Sequence, residues 1–177
     1  PEWGIRDVNG KQVNYGNYCF MDFTQAGVRA YVDGLFRSYL AEDEWNADGV
    51  MLDFGYVTQP LWTVCADSAW GAGEQYRARV LQFIYGLVKK HRKDGLMTGN
   101  SINPLFGRVQ DLCRLNEDWT NDPQTYRNRA KAVLELGQWV LTDDWDALES
   151  SLAAQLVERP VWGALKIQSV RYRGNDY

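Results

Sequence analysis

Apolar residues recur along this chain with two alternating periods. After Thr24, the predicted N-cap, Val28, Tyr31, Val32, Leu35, Phe36, Tyr39 and Leu40 fall at the three-and-four spacing of one helix face. Asp48-Gly49-Val50-Met51-Leu52-Asp53-Phe54 is short, almost wholly apolar and bounded by polar residues, as a strand buried on both faces should be. A longer helix follows, with Tyr76, Val80, Phe83, Ile84, Leu87 and Val88 on one side and a stop before Gly95. Gly95 to Asn100 predicts a second buried strand, and Asp111 to Asn116 a third that Arg114 interrupts. Asp122 and Pro123 predict the cap and first position of another helix, whose face is Tyr126, Ala130, Val133 and Leu134 and which ends at Gly137. Trp139 to Asp144 predicts a fourth strand. Leu148, Leu152, Leu156 and Val157 mark a helix closed by Pro160, Val161 to Ile167 a fifth strand, and Tyr18 to Asp22 a sixth.

Short apolar strands alternating with amphipathic helices predict an α/β fold with a parallel sheet, built as a barrel or as an open doubly wound layer. No G-x-G-x-x-G or P-loop pattern follows any strand, which removes support from the nucleotide-binding versions. A closed (β/α)8 barrel takes about 200 to 250 residues, and five or six of its eight strands are counted here. The expectation is therefore one catalytic barrel domain over residues 1–177 with its N-terminal strands missing. The chain opens Pro1-Glu2-Trp3, so upstream residues are expected, and with them any signal peptide; localisation stays open. An incomplete barrel should leave an apolar seam or sheet edge uncovered.

Composition narrows the chemistry. Nineteen basic against 23 acidic side chains give a net charge of −4, which argues against a nucleic-acid backbone as partner. No run approaches the roughly 20 apolar residues that span a bilayer, so membrane insertion is not expected. Cys19, Cys65 and Cys113 are far apart without C-x-x-C spacing, and read as small core residues rather than a disulfide framework or zinc site. The single histidine, His91, sits in Lys89-Lys90-His91-Arg92-Lys93 at the basic end of a predicted helix, where cations suit the helix dipole. Ser-His and Cys-His nucleophile systems thus have no histidine to use, and carboxylates must carry acid or base chemistry.

Strand after predicted strand ends in polar side chains: Asp53, Asn100, Asn116 with Glu117, and Asp143 with Asp144. C-terminal strand ends form the active face of parallel α/β folds. Period-two geometry sets Gly49, Met51 and Asp53 on one face and Val50, Leu52 and Phe54 on the other, leaving Asp53 in the barrel mouth. Glu117 and Asp118 add a second acid across it. Paired carboxylates suit glycosidic cleavage, one acid protonating the leaving oxygen while the other attacks or activates water. Eight tryptophans and ten tyrosines agree, since flat aromatic faces pack on sugar rings; Tyr56, Trp62, Trp70, Trp119 and Trp145 fall in or near predicted strand-to-helix loops. The expected partner is an oligo- or polysaccharide, with Asn100, Tyr56, Trp119, Asp143 and Asp144 as substrate-binding residues and no cofactor or metal. Oligomeric state is not legible.

Several motifs resemble a family. Trp3-Gly4-Ile5-Arg6-Asp7 with Gly10, Met21-Asp22-Phe23-Thr24 with Val28-Arg29-Ala30-Tyr31, and the Asp48 to Phe54 strand are together similar to glycoside-hydrolase barrels and to the alpha-galactosidase-like clan. The resemblance implies a (β/α)8 barrel whose fourth strand ends in a catalytic aspartate, a role it assigns to Asp53. It also implies a second acid near the sixth strand, where Arg114-Leu115-Asn116-Glu117-Asp118-Trp119 stands. The alpha-galactosidase-like pattern selects Asp118, whereas a strand-end glutamate pattern selects Glu117. The glycine- and cysteine-rich stretch of many alpha-galactosidases is replaced by Gly99-Asn100-Ser101-Ile102-Asn103, so galactose specificity does not carry over.

Two rival readings use the same residues. A non-catalytic carbohydrate-binding barrel keeps the aromatics and Asp53 without aligning a second acid. A metal-dependent hydrolase or lyase would set Asp, Glu and Asn oxygens around Mg²⁺ or Ca²⁺.

Overall fold

A computed structural model describes residues 2–53, 62–99, 103–114, 123–144, 147–148, 163–167, 170–172 and 175–176. The chain is mixed α/β and divides into two compact units, Pro1–Val50 with Tyr56–Gly95, and Met51–Gly55 with Leu96–Tyr177.

The first unit opens with three short strands, β1 (Arg6–Asp7), β2 (Asn14–Tyr15) and β3 (Tyr18–Cys19), before helix α1 (Ala26–Leu40). β2 and β3 form an antiparallel hairpin in which Tyr15 faces Tyr18 across Gly16 and Asn17. Gly16 has φ +57°, the left-handed value that a two-residue hairpin turn requires. The strand expected over Tyr18 to Asp22 is thus the second arm of a hairpin, because the turn folds it back on its neighbour before it can join a parallel sheet.

Asp22 explains the next departure. Its carboxylate is 3% exposed and accepts from the Thr24 amide at 3.0 Å, the Thr24 hydroxyl at 2.5 Å and the Ala66 amide at 2.8 Å. The Thr24 hydroxyl also accepts from the Asp67 amide at 3.1 Å. Thr24 is committed to that network, so α1 starts at Ala26 with Gln25 in the cap position and no side-chain cap. β4 (Gly49–Met51) follows, then β5 (Thr63–Val64), which pairs antiparallel with β1.

α2 (Glu74–His91) packs on α1, burying Val28, Val32 and Leu87 with Met21, Phe23, Phe36 and Phe83 against them. Its start is tied to the chain before α1 by one side chain. The Tyr76 hydroxyl accepts from the Phe23 amide at 2.7 Å and donates to the Met21 carbonyl at 2.8 Å. Lys89, Lys90 and His91 close the helix, and the charge of the two lysines suits its dipole there. His91 is not merely a solvated end residue: its Nε2 lies 2.6 Å from Asp33 of α1, whose carboxylate also accepts from Lys90.

The second unit carries the sheet. β6 (Leu96–Gly99), β7 (Leu112–Arg114), helix α3 (Pro123–Glu135), β8 (Trp139–Asp144), β9 (Ala147–Leu148), β10 (Gly163–Ile167), β11 (Val170–Tyr172) and β12 (Asn175–Asp176) follow in sequence. The sheet runs in the order β4, β6, β7, β8, β10, and its four strands from β6 to β10 pair in parallel. Arg114 does not interrupt β7; it is its last residue. Leu148, expected in a helix, lies in β9 and pairs with Arg171 of β11 beside β12; residues 149–162 lie outside the described residues.

Register assigns the faces. Gly99, Cys113 and Val140 are aligned, and Cys113 and Val140 pack with Ala130 and Val133 of α3. Thr98, Leu112 and Trp139 form the adjacent row, so they point to the opposite face. On that face Leu96 and Trp139 are exposed, Trp139 to 65%. Behind the sheet, the Gln110 side chain donates to Gln138 at 2.9 Å and Gln138 donates to the Phe106 carbonyl at 3.1 Å, satisfying two buried amides. Gly137, with φ +74°, ends α3 as its position predicts.

Candidate functional site

Asp53 stands two residues beyond the end of β4. Its neighbour Leu52 is still held to the sheet, donating to the Thr98 carbonyl at 2.9 Å. Alternation sets Asp53 and Met51 on one side, and both are exposed, while Leu52 is half-buried. The expected division of this strand's faces is present in these residues.

Among the described residues, Asp53 meets Arg114. Its Nη1 lies 3.6 Å from Asp53 Oδ1, with side-chain exposures of 2% and 46% for the arginine and aspartate. Arg114 alternates with Cys113, which faces α3, so the guanidinium projects from the opposite face, where Asp53 meets it. That contact brings the C-terminal ends of β4 and β7 to one edge of the sheet. β6 lies between them, a separation of about 10 Å from strand to strand, and only a long side chain bridges it. Sequence reasoning treated Arg114 as an interruption; a lone arginine at the end of an apolar strand was the available signal.

The other expected site residues are not brought together within the described part of the chain. Glu117, Asp118, Asn100, Tyr56, Trp119 and Trp145 lie outside the described residues. Asp143 and Asp144 close β8 in register with Lys166 and Ile167 of β10. Trp62 is exposed, and Trp70 lies in a single 3₁₀ turn with the Arg29 guanidinium 5.6 Å from its ring centre.

Elsewhere several described titratable groups are engaged. In the first unit a groove of about 460 Å³ runs between α1 and α2, lined by Arg29, Asp33, Phe83, Gly86 and Lys90 among others. Hydrogen bonds from Lys90 and then His91 hold the Asp33 carboxyl below the ordinary carboxylate range. Burial pushes the Cys65 and Cys113 thiols up to about 11, and raises the Tyr76 phenol further. Of the cysteines only Cys113 is fully buried; Cys19 is exposed on β3, contrary to the core role expected of it. Among the described residues no group of three or more His, Cys, Asp or Glu could hold a metal ion, and no helix is long and apolar enough to cross a membrane.

The fold defines a class: a mixed α/β chain with three helices and four neighbouring parallel strands among the described residues. Comparison with protein-family models, with curated proteins and with solved structures finds no match to this chain.

Proposed function

We propose that this chain belongs to a glycoside hydrolase built on a (β/α)8 barrel, with Asp53 as nucleophile or base and Glu117 or Asp118 as the acid. The observation that carries the reading is Asp53 itself, a half-exposed carboxylate just past an apolar strand, facing Arg114 at the same edge of the sheet. Strand order adds support. β4, β6, β7, β8 and β10 are neighbours in the order in which they occur, without the reversal of a doubly wound sheet. A singly wound succession is what a barrel needs, and it would set every C-terminal strand end around one mouth.

In this mechanism one carboxylate attacks the anomeric carbon or activates water, and the second protonates the departing oxygen. Carboxylates about 5 to 5.5 Å apart would retain anomeric configuration, and about 6.5 to 9.5 Å would invert it. The ion pair favours one alternative, a carbohydrate-binding barrel without turnover, because a carboxylate already engaged by a guanidinium can serve as a structural tie.

A panel of aryl glycosides and polysaccharides, assayed for hydrolysis and for binding, separates the two. The hydrolase reading expects turnover that Asp53→Asn reduces far more than affinity. Sugar binding without turnover by the wild type would establish the alternative, and activity abolished by EDTA would turn the mechanism to a metal.

A further inference from the structure

Burying a guanidinium costs more than a contact with a half-exposed carboxylate returns. The Arg114–Asp53 contact, at 3.6 Å, is also longer than a hydrogen bond. The contact by itself therefore adds little stability. As a positioning device it is well built: the guanidinium is held by burial at the end of β7, and the group it faces is the one open to solvent. Arginine suits the task better than lysine, since its planar fork stays charged and constrains direction as well as distance.

We propose that Arg114 is a positioning residue for Asp53, fixing the carboxylate at the sheet edge where it serves as nucleophile or base. This rests on the hydrolase reading above. The assignment makes Asp53 and Arg114 one unit.

The test uses the whole chain with Arg114→Lys and Arg114→Ala, and two readouts. The first is steady-state kinetics on the best aryl glycoside from the panel. Both variants should lose kcat, Arg114→Ala by about 100-fold, with KM changed far less, because misplacement of a reacting group by about 1 Å costs on that order. Guanidinium ion should restore part of the Arg114→Ala activity where equal sodium chloride does not. The second readout needs no turnover. Carbodiimide with an amine nucleophile labels accessible carboxyls, and peptide mapping compares Asp53 with Asp48, whose side chain is 94% exposed. Asp53 should label roughly fivefold more slowly relative to Asp48 in the wild type than in either variant, the protection expected of an ion pair of this kind.

If the wild type is active and both variants keep kcat within twofold, the positioning role is wrong while the hydrolase reading stands. If the wild type hydrolyses nothing, the hydrolase reading fails, and labelling alone decides whether Arg114 holds Asp53. Equal Asp53 labelling in wild type and variants overturns the proposal in either case. Arg114→Lys keeps the test open should Arg114→Ala fail to fold.

Discussion

Removing the Tyr76 hydroxyl while keeping its ring should destabilise the first unit well beyond what an edge substitution does. The phenol is on the first turn of α2, its residue 4% exposed, and it bridges two backbone groups more than 50 residues earlier in the chain. In Tyr76→Phe the aromatic packing against Trp70, with centroids 6.1 Å apart, is retained. What is lost is an acceptor for the Phe23 amide and a donor to the Met21 carbonyl. A buried donor left unsatisfied costs about 1 to 3 kcal/mol, and a second ordinary hydrogen bond contributes about 1 kcal/mol, so the sum is about 2 to 3 kcal/mol after some relaxation. For a chain of this length that corresponds to a fall in Tm of roughly 4 to 12 °C. Thermal unfolding followed by far-ultraviolet circular dichroism, with urea unfolding for the free energy, measures it. A loss below about 0.5 kcal/mol would mean that water replaces the hydroxyl without cost and that the bridge does not hold the two segments together.

Gly99→Ala should destabilise the second unit by about 1 to 3 kcal/mol, because the added Cβ would overlap the Gln110 amide oxygen and lie 3.0 Å from its Cδ, while Gln110 is held by Gln138; Gln110→Ala in the same chain should recover part of the loss in urea unfolding. Iodoacetamide at pH 8 should label Cys19 first, since raising a thiol from 9.0 to about 11 cuts the thiolate fraction of Cys65 and Cys113 about 100-fold, and peptide mapping that found Cys113 modified first would contradict the packing. Asp33, held below its ordinary value of 3.8 in the folded chain, contributes stability that is full above that pH and lost as pH falls through the lower folded value. Asp33→Asn should therefore cost less than about 1 kcal/mol at neutral pH, and the difference should shrink in acid melts as the pH falls below 3.8.

Helices α1 and α2 were legible because each buries one stripe, and three-and-four spacing reports that stripe directly. β6 and β8 were legible for the complementary reason: they are short apolar runs that end where the chain leaves the sheet. The hairpin was not, since Tyr18, Cys19 and Phe20 look like any apolar strand, and what redirects them is one glycine at φ +57° two residues earlier. Thr24 was placed one residue from the true cap because periodicity cannot register a buried aspartate at i−2 that binds both its amide and its hydroxyl. Asp53 was legible as an exposed strand-end carboxylate, but its partner was not. Arg114 is 61 positions away, and nothing local to either residue announces a meeting across an intervening strand.

Burial alone does not mark a site, and Asp22 shows why. It is more buried than Asp53, and a search for enclosed carboxylates would choose it. Yet its oxygens accept from two amides and a hydroxyl at 2.5 to 3.0 Å and from the Gln25 side chain at 3.3 Å. A carboxylate so saturated has no lone pair to turn toward a substrate, and moving it would release several donors at once. Gln110 and Gln138 belong to the same kind, polar groups that close on one another behind the sheet. Asp53 differs in exposure: nearly half of its side chain meets solvent. Polar groups that hold a fold together are buried with their partners, whereas a group that must meet a ligand needs a fixed anchor on one side and open space on the other. On the described part of this chain the Asp53–Arg114 pair meets that condition, which is why the proposed chemistry is placed at the sheet edge and not at the better-bonded aspartate before α1.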